Sequence, residues 1–401
     1  MKNSKTMIKG GSFMIRRFVV CAAIMAAVFV YAVPSEAAFS VTDKDGNELT
    51  LGVSLQLQYR EVNPAAGQTT DEAFVRRFEV SADTKLNAGW GGKLVVDFGK
   101  ASGDNEVTLK EAYVSYTGFD GLDIKFGNAY FPFSREVNTS SKRQQFVERT
   151  FPGDHDYGTP ERNLGLHVDA KLLGGKIRLA ASGASASIDP DNKRLDFDSP
   201  VVKEADFNEG SMVGARVDFH PFGELKLAQG DFDGALKATI SAAAFSWNND
   251  GDKNTYTSAV TLASTSTTKF DVDSVDAFEV SGAFRFKGVS IDAEYNEFKA
   301  KTVADFANTG GIFLRGETTL TNSMIKGGYM VLKDRLELVA GIEAQDADNY
   351  KAKWKRTSYG ANWFFNNHNT KVQLTLVDNK NVDGVKRADA KETFVQAQYV
   401  F

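Results

Sequence analysis

Cysteine is almost missing from this chain: of 401 residues, only Cys21 is one. It follows Val20 inside an apolar run, where a lipid-attachment signal needs a small residue, so lipidation is not expected and the chain beyond that run has no cysteine. Histidine is also scarce. His155, His167, His220 and His368 are scattered, lie in no catalytic motif and show no close metal-ligand spacing, which argues against an enzyme that must assemble nucleophile, base and orienting group, and against a metal centre. A basic excess is lacking too. Beyond Ala37 there are 42 basic and 51 acidic residues, a net charge of −9, so nucleic acid is not expected as a partner. Past Val33 no apolar run approaches the ~20 residues of a membrane helix, and no cofactor motif is present. If the chain enters a membrane, a closed barrel is the route left, because open sheet edges go unsatisfied in lipid. Prolines are few, and Pro64, Pro132, Pro152, Pro160, Pro190, Pro200 and Pro221 avoid the interiors of the strands proposed below, as a sheet without edges requires.

What is present begins with residues 1–37, which have the parts of an export signal: basic Arg16-Arg17, an uncharged run from Phe18 to Val33, and Ser35-Glu36-Ala37 as a small-x-small cleavage site. Met1, Met7 and Met14 each remain possible starts. From Leu49 onward, segments of about ten residues alternate apolar and polar positions between Gly, Asn and Asp clusters. Leu164, Leu166, Val168, Ala170 and Leu172 oppose His167, Asp169 and Lys171; Leu336, Leu338, Ala340 and Ile342 oppose Glu337 and Glu343. One face suits hydrocarbon and the other suits water. The fold expected is all-β, a transmembrane antiparallel barrel spanning 38–401 with about sixteen strands. Their starts fall near residues 49, 74, 90, 106, 121, 163, 175, 210, 234, 276, 288, 312, 335, 356, 370 and 392. Between Ile312 and Leu332, one long strand and two short ones fit equally well.

The stretch Phe126 to Arg162 has no strand or helix period, and a connection of that length is usually functional or disordered. Its aromatics (Tyr130, Phe131, Phe133, Phe146, Phe151, Tyr157) interleave with charges, which suits a loop folded inward against the barrel wall to narrow a pore. At the other end, Thr393, Val395, Ala397, Tyr399 and Phe401 share one face and the sequence stops on an aromatic. This resembles the signal by which bacterial outer-membrane barrels are handed to the assembly machinery.

Several stretches together resemble the phosphate-selective porin O/P family: Phe74-Val75-Arg76-Arg77-Phe78, Leu94-Val95-Val96-Asp97-Phe98, Lys110-Glu111-Ala112-Tyr113-Val114, Phe131-Pro132-Phe133-Ser134-Arg135-Glu136 and Phe146-Val147-Glu148-Arg149. A weaker likeness returns at Tyr359-Gly360-Ala361-Asn362-Trp363 and in the last strand. The resemblance implies a sixteen-stranded barrel in the outer membrane of a Gram-negative bacterium, a homotrimer, with the third outer loop as constriction. Small anions such as phosphate and outer-membrane lipids are then the expected partners.

A constriction selects by the charges lining it, and Arg offers a planar fork for two phosphate oxygens. By match to the family motif, Arg135 and Arg149 are the first candidates at the eyelet, with Lys142 and Arg143 next; for Arg135 the competing expectation is a salt bridge to Glu136 or to a wall carboxylate that pins the loop. Arg77, Lys93, Lys125, Arg178, Arg216 and Arg285 fall on lumen faces and are candidates for a basic track along the wall, as are Lys171 and Lys176. Glu79, Asp97, Glu111, Asp169, Asp218, Glu279 and Asp292 share those faces, so paired wall charges are the competing expectation. Between Ala129 and Arg162, five basic and five acidic residues cancel; this departs from the family's lysine-rich lining and leaves a general porin, or one for another solute, as the alternative. A structural or adhesive surface barrel working through its polar loops is the rival from a different class.

Overall fold

The structure, a computed structural model, describes residues 39–99, 107–188, 193–199, 209–251, 255–257, 264–266, 271–303 and 310–401. The expected export signal lies outside them. Sixteen strands make the wall: β1 (Glu48–Pro64), β2 (Thr70–Lys85), β3 (Trp90–Asp97), β4 (Thr108–Phe119), β5 (Leu122–Tyr130), β6 (Arg162–Leu172), β7 (Ile177–Ile188), β8 (Glu209–Phe219), β9 (Lys237–Asn249), β10 (Val272–Phe286), β11 (Val289–Thr302), β12 (Glu317–Leu332), β13 (Leu336–Ala347), β14 (Trp354–Asn366), β15 (Thr370–Lys380) and β16 (Ala390–Val400). Each pairs antiparallel with its sequence neighbours. β16 pairs in turn with β1, from Ser54 opposite Val400 to Pro64 opposite Ala390, and closes the sheet. Closure leaves no unpaired edge in lipid.

The alternation read from the sequence is the reason for this shape. Outward positions carry Leu94, Val114, Leu166, Val213, Ile240, Ile325, Leu338 and Ile342, all exposed. Inward positions carry Gln56, Glu79, Asp218, Glu279, Asn322, Glu337, Asn362, Gln373 and Gln398, all buried. This reverses the pattern of a water-soluble protein and fits a wall with lipid outside. Exposed Trp90, Phe119, Tyr329 and Trp363 cluster towards the short-turn end, where an interfacial aromatic girdle belongs.

Most expected strand starts lie within a few residues of the observed ones. The widest departure is at β12, where the ambiguous stretch resolves into one long strand starting at Glu317. The loop also proves shorter than Phe126 to Arg162. β5 continues to Tyr130 and pairs there with Arg162, because Phe126, 68% exposed, is an outward lipid-facing residue rather than the first of the loop.

Two irregularities matter for the lumen. Between β1 and β2 the register moves from Gln56 opposite Arg77 to Leu57 opposite Val75, leaving Arg76 as an extra residue. Between β3 and β4 it moves from Val95 opposite Glu111 to Val96 opposite Leu109, leaving Lys110 extra. A β-bulge of this kind re-aims side chains.

Candidate pore constriction

The connection 131–161 between β5 and β6 folds into the barrel. Its apolar anchors Phe131, Phe133 and Phe151 are fully buried. They pack edge-on against inward rings of the wall: Phe133 on Phe245 at 4.9 Å and Phe151 on Trp354 at 4.8 Å. Burying each such ring contributes about 1.5–3 kcal/mol. Ser134 starts a one-turn helix, α1 (Arg135–Asn138), its hydroxyl accepting from Val137 N at 3.1 Å, the usual N-cap bond. Gly158 approaches Phe298 so closely, with φ of +96°, that a Cβ would sit 2.8 Å from the ring.

Polar anchors span the wall from β11 to β16. Glu294 accepts from Glu136 N at 2.9 Å, Glu343 from Phe151 N at 2.6 Å, and Thr375 Oγ1 from Val147 N at 3.2 Å. Gln373 Nε2 donates to the carbonyls of Gln144 and Gln145 at 3.1 and 3.0 Å, and Gln398 Nε2 to that of Lys142 at 2.9 Å. At the centre, Lys326 and Glu136 form an ion pair with both side chains 1% exposed. The loop therefore packs against these strands, and its tip reaches across the lumen to β1 and β2, where Gln58 Nε2 donates to Glu148 at 2.8 Å.

Charged side chains gather where the loop tip meets the wall. The two bulges put Arg76 beside Arg77 and Lys110 beside Glu111 on the lumen side. Arg76 donates through Nε and Nη2 to both oxygens of Glu148 at 3.2 and 3.3 Å. Burial alone would raise the Glu148 carboxyl, but the Arg76 guanidinium more than offsets this and holds it down at about 2. Glu79 takes Lys142 at 2.9 Å and Lys110 at 3.7 Å, and Lys110 also reaches Asp97 at 3.3 Å. Opposite, Glu161 is shared by Arg149 at 2.8 Å and Arg162 at 2.7 Å. Arg162 lies over the Tyr130 ring at 4.0 Å and reaches Glu111 at 3.5 Å.

Two cations stand apart. Among the described residues Arg77, itself buried, donates only to the neutral Gln56 Oε1, at 3.0 Å, and its Nε has no acceptor. Arg143, exposed at the loop tip, has no ion-pair or hydrogen-bond partner for its guanidinium among the described residues. Around the tip, Arg76, Arg77, Lys110, Lys142 and Arg143 thus face Glu79, Asp97 and Glu148, a positive surplus carried by Arg77 and Arg143.

Of the eyelet candidates from the sequence, Lys142 pairs with Glu79 and Arg149 with Glu161, Arg143 is exposed at the loop tip, and Arg135 lies apart from them. Arg135 is 4% exposed beneath the loop, 3.6 Å from Asp292, and donates to Lys226 O at 3.4 Å. It ties the loop down because α1 turns it towards the β10–β11 wall. The wall candidates face inward but do not form a free basic track. Lys93 reaches Asp83 and Glu111, each at 3.7 Å, Lys125 reaches Asp123 at 3.0 Å, and Arg178 bridges Asp169 and Asp218. Arg216 pairs with Asp218 and Glu279, and Arg285 with Asp292 at 2.7 Å, both buried under the loop. Lys171 pairs with Glu224 at 3.0 Å, and Lys176 sits in the following turn. The residues missed from sequence are Arg76, Lys110 and Arg162. Against β4–β7 a cavity of about 180 Å³ is lined by Tyr113, Asp123, Lys125, Tyr130, His167 and Arg178. The histidines stay dispersed. Asp154, His155 and Asp156 bring ligand-type atoms within 4.8 Å of one another, and His155 Nδ1 contacts Asp196 at 2.8 Å.

A closed antiparallel barrel with lipid-suited outer residues, a polar lumen and a connection packed against its inner wall is the architecture of an outer-membrane porin. Residues 49–332 match the family described as phosphate-selective porin O and P, and the chain belongs to that family. Porin O of Pseudomonas aeruginosa is 29% identical over 174 residues, which take in 42% of this chain and 38% of that protein. In fold the chain is similar to an anion-selective porin from Comamonas acidovorans (TM-score 0.58, 12% identity, 88% of this chain and 100% of that one). It is likewise similar to the outer-membrane channel DcaP of Acinetobacter baumannii (0.55, 15%, 91% and 100%). A third is the trimer form of OmpT from Vibrio cholerae (0.52, 13%, 88% and 99%).

Proposed function

We propose that this porin passes small anions, phosphate or a related oxyanion, by passive diffusion through the gap between the loop tip and the β1–β4 wall. The observation that carries this reading is the unpaired state of Arg77 and Arg143 amid otherwise paired charges. A guanidinium without a carboxylate partner offers its donors to a passing oxyanion, and its planar fork suits two oxygens of one phosphate. Arg76, Lys110, Lys142, Arg149 and Arg162 shape the surrounding field while sharing carboxylates. Weak holding is what conduction needs, since a solute must leave as readily as it enters. The family name and the anion-selective relative in fold support the same class of solute.

Single-channel recording in chloride with phosphate titrated in tests the reading: saturable block is expected. The pairing of most lining charges favours a second reading, a general pore of low selectivity, which would give no saturable block. An adhesive barrel with a filled interior would give no conducting steps at all.

The finer biology follows the same reading. The chain is exported through the signal at 1–37, its apolar belt meets outer-membrane lipid, and it assembles as a homotrimer. Phe401, 40% exposed and held to β1 by bonds with Val53 at 2.9 and 3.0 Å, presents its ring beside Tyr399 at 5.9 Å to the barrel-assembly machinery.

A further inference from the structure

In a sixteen-stranded barrel, the connection between β8 and β9 falls on the short-turn, periplasmic side. There the other described turns are brief: residues 120–121, 287–288 and 333–335, for example. Residues 220–236 are the exception, and they do not hang free. Gln229 and Asp231 are 2% and 4% exposed. Phe232 packs edge-on against Phe364 at 4.9 Å and His368 at 5.0 Å. Asp231 accepts from Gly234 N at 3.0 Å and Gly288 N at 2.6 Å.

The top of this insert meets the underside of the constriction loop. Gln229 N donates to Arg143 O at 3.0 Å, and Gln229 Oε1 accepts from Gln145 N at 2.7 Å. Gln229 O accepts from His368 Nε2 at 2.8 Å. Lys226 O accepts from Arg135 at 3.4 Å and Ala228 O from Arg285 at 3.1 Å. The loop tip is thus held on one side by the wall amides Gln373, Asn362 and Gln398, and from below by Gln229. The contacted loop backbone, Arg143 to Gln145, is the segment that carries the unpaired Arg143.

We infer that the 220–236 insert is a second, periplasm-facing element of the constriction, and that Gln229 is a positioning residue fixing the loop tip, and with it Arg143, in the path. The inference rests on the reading of the barrel as a conducting pore. Its physical basis is the Gln145 amide: its N–H is buried, and without the Gln229 acceptor it is left unsatisfied, a larger cost than a neutral exchange of bonds. The displaced tip then gains population by about tenfold or more.

The test is single-channel recording of the full chain with Gln229→Leu, Gln229→Glu and Phe232→Ala, after heat-modifiable gel migration has established folded barrels. Gln229→Leu removes the acceptor at similar volume, and is expected to raise open-channel current noise severalfold and to lower the voltage at which the channel closes. Gln229→Glu restores an acceptor oxygen and should return the noise to the wild-type level, which a merely space-filling role would not predict. Phe232→Ala loosens the seat of the insert and should act in the same direction as Gln229→Leu; it serves as the test if Gln229→Leu does not fold. Wild-type noise and closing voltage in Gln229→Leu, or in Phe232→Ala where only that variant folds, would overturn the inference. So would equal noise in the Leu and Glu variants. Absence of conductance in the wild type would instead strike at the pore reading itself.

Discussion

Replacing Lys326 with Met removes the cation that Glu136 meets at the centre of the loop's docking surface. Both side chains are 1% exposed, so the stranded carboxylate cannot turn to water. It keeps Thr150 N, at 3.3 Å, and the Thr150 hydroxyl as donors. Breaking one side of a buried pair costs about 3–5 kcal/mol. Lys326→Met should therefore loosen the docked loop by about 3–5 kcal/mol. The closed strand ladder holds the wall, so the loss appears in the loop. Trypsin cleavage after Lys142, Arg143 or Arg149 and open-channel noise would report it. Glu136→Gln alone leaves Lys326 without its counter-ion and should also loosen the loop. The double variant removes both charges and should recover most of the loss, because desolvation of the pair offsets much of its attraction. Summed single effects in the double variant, or a Lys326→Met loop no more open to trypsin than wild type, would refute this reasoning.

Other outcomes follow from the same geometry. Gly158→Ala combines a left-handed φ with a Cβ 2.8 Å from the Phe298 ring; it should cost about 1–3 kcal/mol of loop docking, seen as faster protease cleavage with unchanged barrel circular dichroism. Where the loop meets residues 195–196, burial lowers His155, but Asp196 more than offsets this and holds it well above its ordinary value. Burial and Asp154 push Asp156 up to about 7. Both folded values are raised, so the stabilisation is full at low pH and is lost as pH rises through them. Exchange of the Leu195 amide, bonded to Asp156 O at 3.1 Å, should be more protected at pH 5.5 than at pH 8.5 after correction for intrinsic rate. Equal protection would contradict the assignment. Arg76→Gln leaves Glu148 without its bidentate partner and should reduce anion preference further than loss of one positive charge in a screened mouth.

The wall was largely legible because the lipid–lumen distinction is written at every second residue. Leu164 to Leu172 and Leu336 to Ile342 could be assigned to faces without any structure. Alternation fails where physics other than lipid decides. Phe245, Trp247 and Phe298 face inward yet are apolar, because the loop covers Phe245 and Phe298, Phe197 packs on Trp247, and together they make a dry core inside the barrel. Arg76 and Lys110 were invisible to strict two-residue counting, which aims each at lipid. The signal was nevertheless present: Arg76-Arg77 and Lys110-Glu111 are adjacent charges in lipid-bounded strands, and a bulge is the way to keep both wet. Arg135 looked like an eyelet residue by motif, but only tertiary contact with Asp292 shows that it anchors the loop. The insert at 220–236 could have been suspected from parity, since a long connection after the eighth strand falls on the side where turns are short.

The reversal potential of the wild-type channel under a potassium chloride gradient, beside that of Arg77→Gln/Arg143→Gln, tests the central claim most directly. The unpaired pair of guanidinium groups should give the wild type an anion preference that the double variant loses while still conducting. A cation-preferring wild type, or a double variant with undiminished anion preference, would contradict it.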